Sequence, residues 1–129
     1  MKGKLLVIKL GGSVITYKDS TTPFARISVI RRLAKEIKEV SDLGFQIILV
    51  HGAGSFAHGL VKKYGLQKIG FELATQSMLK LNNIIIDELL KAKIKAVSLS
   101  PHTFITQSAG KLSFIELKSI KNYIKNQQV

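Results

Sequence analysis

Two glycine-rich segments constrain this chain more than any other feature of its sequence. Residues 9–13 read Lys-Leu-Gly-Gly-Ser, and residues 51–58 read His-Gly-Ala-Gly-Ser-Phe-Ala-His. Each segment comes at the end of a short apolar run with the pattern of a β-strand, residues 5–8 and 47–50. Glycine at the carboxyl end of a strand lets the backbone turn sharply and brings bare N–H groups close to an anion. The two segments therefore predict a pair of adjacent loops that bind phosphate groups.

Length and composition are those of one ordinary domain. The chain has 129 residues, of which 46% are hydrophobic, and this is enough for a real core. No segment reaches the ~18 uninterrupted apolar residues of a membrane span, and no charged-then-apolar leader follows Met1. Cysteine is absent, which excludes disulfides and thiolate metal sites. We expect a cytoplasmic protein with one domain over residues 1–129.

The formal net charge of +12 raises the question of a nucleic-acid partner. Arginine contributes only Arg26, Arg31 and Arg32, and the lysines are scattered along every segment. Proteins that read bases favour arginine, and single-strand binders interleave aromatic with basic residues. Neither pattern is present, so a nucleic-acid-binding module is the least favoured alternative. A lysine-rich solvated surface that attracts polyanions such as ATP is the simpler explanation.

Strand and helix patterns alternate along the chain, which predicts an α/β fold with a mainly parallel sheet. The first strand is apolar throughout, as expected of a strand covered on both faces. Ser28 is a candidate N-cap for the first long helix, and Gly44 follows that helix as its end signal. The expected elements are strand 5–10, helix 28–43, strand 46–50, helix 56–64, helix 71–91, strand 96–100, a turn at Gly110 and helix 115–125.

The helix predicted over residues 71–91 carries apolar side chains on more than one face. We expect one stripe to be buried in the core and the other to be buried as well or to face an apolar ligand. The first stripe contains Ala74, Met78, Leu81, Ile85 and Leu89, and the second contains Leu79, Ile86 and Leu90.

The first glycine segment matches neither the phosphate-binding motif GxxxxGK[ST] nor the dinucleotide motif GxGxxG. A strand lysine just before paired glycines is placed to reach a phosphate that the Gly11 and Gly12 amides also contact. The alternative is a Gly-Gly hairpin turn with Lys9 exposed to solvent. Lys18 follows in a polar stretch and is a second candidate for stabilising transferred charge.

Two histidines flank the second glycine segment. Their separation across a loop, with no third ligand nearby, argues against a metal site. His51 ends a buried strand, which favours a structural, hydrogen-bonded role. His58 begins a helix, where an imidazole can donate to an anion, so we assign the functional role to His58.

These segments resemble the amino acid kinase superfamily and, within it, the archaeal-type isopentenyl phosphate kinase family. The first loop is shared across the superfamily, whereas the second loop, ending in His58, is narrower. The similarity continues through Gly70-Phe71, Thr75-Gln76, Leu81-Asn82, residues 96–98 and residues 110–115. The resemblance implies a three-layer α/β/α fold with a mainly parallel sheet, of which this chain is the N-terminal, acceptor-side half.

The resemblance also implies an activity: ATP-dependent phosphorylation of isopentenyl phosphate to the diphosphate in isoprenoid biosynthesis. It implies Mg²⁺ held mainly by the nucleotide. The implied catalytic residues are Lys9, Lys18 and His58. The implied contacts to ATP are Lys9, Leu10, Gly11, Gly12, Ser13 and Gly54. The implied contacts to the substrate phosphate are Ala53 and His58, and the helix after Gly70 would wall the isoprenoid tail.

The sequence departs from the family pattern at two points. Ala57 stands where the family usually has glycine. The chain also lacks the second half of such kinases, which supplies a Gly-Asp element and another lysine. We therefore expect little or no turnover from this chain alone. The expected partner is a second chain carrying the other half, or a further copy of this one.

Two alternative functions remain compatible with the residues. One is a kinase of the same superfamily that phosphorylates another acceptor, such as a carboxylate or carbamate, although His58 favours a phosphate or phosphonate. The other is a non-catalytic remnant that binds phosphates without transferring them.

Overall fold

A computed structural model describes residues 4–20, 22–67 and 69–126 of the chain. Strands and helices alternate along it, as the sequence predicts. The elements are β1 (Leu5–Leu10), α1 (Gly12–Ile15), α2 (Ile27–Asp42), β2 (Gln46–His51), α3 (His58–Tyr64), α4 (Ile69–Lys91), β3 (Ile105–Ser108), β4 (Lys111–Ile115) and α5 (Lys118–Lys125). Single turns of 3-10 helix lie at Gly54–Phe56 and Pro101–Thr103.

Strands β1 and β2 form a parallel pair, in which Leu10 lies opposite His51. Alternate side chains of a strand point to opposite faces, so Leu6, Ile8 and Leu10 share one face of the pair. Helices α2 and α4 pack on this inner face, where the core lies. The buried apolar residues are Leu10, Ile15, Ala25, Ile30, Ala34, Ile37, Ile47, Phe56, Leu81, Ile85, Leu89 and Ile94.

The opposite face of the pair, which we call the outer face, is largely open among the described residues. It carries Leu5, Val7, Lys9, Gln46, Ile48 and Val50. Val7 is 68% exposed, and Leu5 and Val50 are exposed by nearly half. The expectation that β1 is covered on both faces is therefore wrong for this part of the chain. The reason is that the two long helices of the described residues, α2 and α4, both pack on the inner face.

Helix α2 follows its predicted range closely, but its start differs. It begins at Ile27, one residue before the predicted start, and no side chain in the described part of the chain caps it. Ser28 therefore lies in the first turn and is not the N-cap. The helix ends at Asp42, one residue before the predicted end, and Gly44 follows as the predicted end signal: it has φ +87°, and its N–H donates to the Ser41 carbonyl at 2.9 Å.

An ion pair joins α2 to α4 at the edge of the core. The Glu88 side chain is only 3% exposed, and it accepts from Arg31 Nε at 2.9 Å and from Lys91 Nζ at 2.7 Å. The hydrogen bond from Arg31, followed by that from Lys91, lowers the pKa of Glu88 below its ordinary value. Within the described ranges, no helix combines the length and apolarity needed to cross a membrane.

The region after α4 differs most from the prediction. Residues 96–100 make no strand pairing with any described residue, so the predicted third strand is wrong here. A strand needs a neighbour to satisfy its backbone, and among the described residues only β1 and β2 form the parallel sheet. The predicted turn at Gly110 is confirmed, but it joins an antiparallel hairpin, β3–β4, that was not predicted. Its two turn residues, Ala109 and Gly110, both have positive φ, which suits a two-residue hairpin loop.

Candidate functional site

The first glycine loop begins where β1 ends. Leu10 is buried and anchors the strand end, and Gly11 has extended backbone before α1 starts at Gly12. Among residues 4–20, 22–67 and 69–126, no side chain caps α1. The first N–H groups of a helix have no partner within it, so the amides of Gly12 and Ser13 are free of intrahelical bonds. The loop therefore presents backbone donors directly after a lysine-bearing strand end.

The second glycine loop begins at the corresponding end of β2. The chain makes one 3-10 turn over Gly54–Phe56 and enters α3 at His58. Gly54 has φ +52°, a left-handed backbone conformation that residues other than glycine rarely adopt. Like α1, α3 has no side-chain cap at its start from any residue that the structure describes. The same arrangement of strand end, glycine turn and uncapped helix thus occurs twice.

The two loops lie in backbone contact, which confirms that they are adjacent. The Gly52 N–H donates to the Leu10 carbonyl at 2.8 Å. A Cβ atom added to Gly12 would lie 2.7 Å from the Gly54 Cα, and one added to Gly52 would lie 2.7 Å from the Gly12 nitrogen. Real Cβ atoms essentially never approach so closely, so glycine is required at this junction for the loops to meet.

A buried threonine joins the loops, and sequence reasoning missed it. Thr16 is fully buried, its Oγ1 donates to the Gly12 carbonyl at 2.7 Å, and it accepts from the Ser55 N–H at 3.0 Å. Ser55 in turn accepts from the Phe24 N–H at 3.3 Å. Thr16 and Ser55 are 39 residues apart. Local sequence patterns cannot predict a hydrogen bond between residues so far apart in the chain. In the sequence, Thr16 is visible only as a polar residue that directly follows the apolar pair Val14 and Ile15.

The three residues implied as catalytic are all exposed at this end of the sheet. Lys9 lies on the outer face with Val50 as its register partner, so it stands beside the start of the second loop. His58 is the first residue of α3. Lys18 lies in the loop after α1, whose Tyr17 N–H donates to the Phe24 carbonyl at 3.1 Å. Through Phe24 this loop is linked to the second glycine loop.

His51 has the surroundings of a structural residue, in line with its predicted role. Its ring nitrogens face the Gly52 carbonyl at 3.2 Å and the Asn82 Oδ1 at 3.3 Å. Asn82 Nδ2 donates to Ser98 Oγ at 2.6 Å. This chain of contacts fixes the end of β2 to α4 and to the segment after α4.

An apolar cavity of about 400 Å³ opens beside the second loop. Its lining residues are His51, Ala57, Val61, Leu66, Phe71, Ala74, Thr75, Met78, Leu79, Asn82, Ser98, Leu99, Ser100, Pro101 and His102. Helix α4 thus divides most of its apolar residues between core and cavity, but not along the predicted stripes, and Leu90 is 52% exposed, contrary to expectation. Leu81, Ile85 and Leu89 are buried as expected, whereas Ala74 and Met78 line the cavity together with Leu79.

The described residues contain no group of three or more His, Asp or Glu side chains placed to hold a metal ion. The cationic and neutral donors at the site, which are lysine, histidine and backbone N–H groups, are suited to anions. What the arrangement can do is bind two phosphate groups side by side, next to an apolar cavity.

Comparison with known proteins gives a consistent result. A family model described as "Amino acid kinase family" matches residues 4–129. The isopentenyl phosphate kinase of Methanothermobacter thermautotrophicus is 35% identical over an alignment of 137 residues, which covers 97% of this chain and 51% of the relative. The isopentenyl phosphate kinase of Methanocaldococcus jannaschii is 34% identical, with 97% and 53% covered.

Solved structures agree with this result. One described as "X-ray structures of isopentenyl phosphate kinase" superposes with a TM-score of 0.87 at 36% identity, covering 97% of this chain and 55% of that one. A product complex of the T. acidophilum isopentenyl phosphate kinase gives a TM-score of 0.81 at 25% identity, with 98% and 53% covered. These matches confirm the predicted fold. The chain spans about half the length of the relatives that it matches.

Proposed function

Because this chain belongs to the amino acid kinase family, we propose that it forms the acceptor-side half of a kinase that phosphorylates isopentenyl phosphate with ATP. One observation carries the proposal: two glycine loops in backbone contact adjoin an apolar cavity. The loops provide for two phosphate groups at close range, and the cavity provides for a hydrocarbon tail on one of them. The named relatives are isopentenyl phosphate kinases, which supports this choice of acceptor.

In this proposal the second loop holds the acceptor phosphate. His58 and the backbone at Ala53 contact it, and the uncapped start of α3 adds N–H donors. Ala57 lies between the loop and the cavity and lines the latter. A ligand whose phosphate sits at His58 therefore has its tail directed past Ala57 toward α4. The methyl group of Ala57 adds apolar surface at that point.

The first loop holds the phosphates of ATP. Lys9 and the amides of residues 11–13 provide positive charge and donors, and Gly54 approaches the same place from the second loop. Lys18 stabilises the charge on the transferred group. Mg²⁺ bound to the nucleotide would neutralise part of the phosphate charge. We keep the cytoplasmic location as part of the proposal, since the reaction consumes ATP.

In this reaction the protein mainly positions the two substrates. An oxygen of the acceptor phosphate attacks the γ-phosphorus, a new P–O bond forms, and the bond to the β–γ bridging oxygen breaks to release ADP. The attacking oxygen is already anionic, so no general base is required. The work of this site is to bring two anions together and to neutralise the charge that spreads in the transition state.

Calorimetric titration of isopentenyl phosphate into the 129-residue chain tests the acceptor site. We expect saturable binding, and His58→Gln should weaken it about tenfold or more, since a hydrogen bond to a charged group contributes about 1.5–3 kcal/mol. Lys62→Gln, an exposed change one turn further along α3, is the matched control and should alter affinity less than twofold.

N-acetylglutamate serves as the competing acceptor in the same titration, because it carries carboxylates and no phosphate. We expect no saturable binding of this ligand. Preference for it over isopentenyl phosphate would point to a different acceptor class. Equal affinity of wild type and His58→Gln for isopentenyl phosphate would refute the assignment of the acceptor site.

A further inference from the structure

The segment that carries Lys18 leaves the site and returns alongside itself. Thr16 and Ala25 form an antiparallel bridge, and next to them the Tyr17 N–H donates to the Phe24 carbonyl at 3.1 Å. Thr16 and Ala25 are both buried, so the base of this segment is fixed in the core. Beyond the bridge the segment enters solvent, starting with Tyr17 and Phe24.

Lys18 lies at the tip of a tight turn. The Ser20 N–H donates to the Tyr17 carbonyl at 3.2 Å, which closes a turn over residues 17–20 that we call the Lys18 turn. Its two central residues, Lys18 and Asp19, are exposed and border an open cleft. Because the Lys18 side chain stands in solvent, its direction toward the site is set by the backbone of the turn.

The Tyr17 side chain holds the start of this turn from the solvent side. Side chains alternate between the two faces of an extended pair, so Tyr17, Phe24 and Arg26 share the solvent side. The Tyr17 and Phe24 rings lie 5.7 Å apart at 55°, and the Arg26 guanidinium carbon lies 5.6 Å from the centre of the Tyr17 ring. These are the distances of a tilted aromatic pair and of a cation–π contact. We call these three side chains the Tyr17 stack.

Arg26 anchors the Tyr17 stack to the two helices that flank the Lys18 turn. Its Nη1 donates to the Val14 carbonyl in α1 at 3.3 Å. Its backbone directly precedes Ile27, the first residue of α2. The ring of Tyr17 is therefore held against a fixed part of the fold.

We propose that Tyr17 is a positioning residue that, through its stack with Phe24 and Arg26, directs Lys18 at the transferred phosphate. The inference rests on the proposed function for the role of Lys18. The stack contributes little to the core, since Tyr17 and Phe24 are 50% and 59% exposed, so its effect falls on the turn. A lysine on a turn that is already ordered loses less conformational freedom when it meets the phosphate.

The competing explanation is that Arg26 itself contacts the phosphate. The test therefore changes Tyr17, which carries no charge. Tyr17→Leu removes the ring, whereas Tyr17→Phe keeps the ring and removes only the hydroxyl group. Tyr64→Leu is the matched control, because Tyr64 is 43% exposed and its ring centre lies 5.0 Å from Lys63 Nζ, but it ends α3 and has no part in the Lys18 turn.

Hydrogen exchange of the Ser20 N–H, measured by NMR on the 129-residue chain without ligand, reports the order of the turn. Tyr17→Leu should speed this exchange about fivefold or more, because the ring contacts are lost. Tyr17→Phe and Tyr64→Leu should change it less than twofold. Unchanged exchange in Tyr17→Leu would overturn the proposal. Equal acceleration throughout α2 would overturn it as well, because it would mark a general loss of stability.

An NMR titration with ATP and Mg²⁺, followed through the amide signals of the first glycine loop, tests whether the effect passes through Lys18. Lys18→Met should weaken binding about tenfold, as expected for the loss of a hydrogen bond to a charged group. Tyr17→Leu should weaken it about threefold, and Tyr17→Phe should restore the wild-type affinity. In a chain that already carries Lys18→Met, Tyr17→Leu should have no further effect.

The titration separates the failure of this inference from the failure of the proposed function. An equal loss from Tyr17→Leu with and without Lys18 would overturn the positioning role and leave the proposed function standing. A wild-type chain that does not bind ATP, or a Lys18→Met variant that binds it equally well, would refute the proposed role of Lys18 and this inference with it. The acceptor site at His58 is tested by a different ligand and does not depend on either result.

Discussion

Replacement of Thr16 by valine tests whether the two glycine loops are held together by the bond between Thr16 and Ser55. Valine has nearly the same shape as threonine but lacks the hydroxyl group, so it leaves no cavity. The change removes the donation to the Gly12 carbonyl and leaves the Ser55 N–H without its acceptor. Gly12 keeps one partner, since its carbonyl also accepts from the Thr16 N–H at 2.9 Å.

The expected loss of stability follows from the hydrogen bonds that the change removes. One buried N–H without a partner costs about 1–3 kcal/mol, so Thr16→Val should lower the free energy of unfolding by about 2 kcal/mol. Thr16→Ser is the matched control, because it keeps both hydrogen bonds and removes only a buried methyl group. That loss should be about 1 kcal/mol.

Urea unfolding at 25 °C, followed by circular dichroism, measures the change in the free energy of unfolding for both variants. The change is read from the shift of the unfolding midpoint, provided that the dependence of the free energy on urea concentration is unchanged. Calorimetry with isopentenyl phosphate supplies the functional readout: Thr16→Val should weaken binding, and Thr16→Ser should leave it close to wild type. A lower stability of Thr16→Ser than of Thr16→Val would contradict this role of the Thr16 hydroxyl group. So would a Thr16→Val variant that matches wild type in both stability and affinity.

Two other changes test separate parts of the structure. Gly12→Ala places a methyl group 2.7 Å from the Gly54 Cα, so urea unfolding should show a loss of about 2 kcal/mol; an unchanged midpoint would contradict the loop contact. Glu88→Gln should lower the free energy of unfolding by about 1 kcal/mol at neutral pH, which is the upper end of what a partly solvated ion pair contributes to stability. Because Arg31 lowers the folded pKa of Glu88, this contribution is complete above the ordinary pKa of 4.5 and is lost as the pH falls below it. The difference from wild type should therefore shrink as the pH is lowered from neutral to below 4.5, and a difference that does not change with pH would contradict the pairing.

The parts of the fold that the sequence predicts are those decided by local pattern. The apolar runs of β1 and β2 and the helical spacing in α2 and α4 are sufficient to locate these elements to within a few residues. The contact between the glycine loops also follows from the sequence, because adjacent parallel strands end at the same edge of a sheet.

The parts that the sequence does not predict depend on partners far along the chain. Residues 96–100 have the composition of a strand, but a strand exists only with a neighbour, and none of the described residues pairs with it. The hairpin β3–β4 was missed for another reason: β3 has only four residues and a single apolar one, so the sequence shows no partner for the alternating residues of β4. Thr16 belongs to the same class, since its role depends on Ser55.

Phosphoryl transfer by a fused polypeptide, residues 1–129 joined to the unmatched half of the Methanothermobacter thermautotrophicus relative, is the decisive measurement for the proposed function. Phosphorus NMR follows the conversion of isopentenyl phosphate and ATP to isopentenyl diphosphate and ADP. We expect transfer by the fused form, and a loss of at least a hundredfold in rate, about 2.7 kcal/mol, on Lys18→Met. Lys62→Met is the control and should retain the rate. A folded fusion that transfers no phosphate, or one whose rate is unaffected by Lys18→Met, would contradict the proposed function.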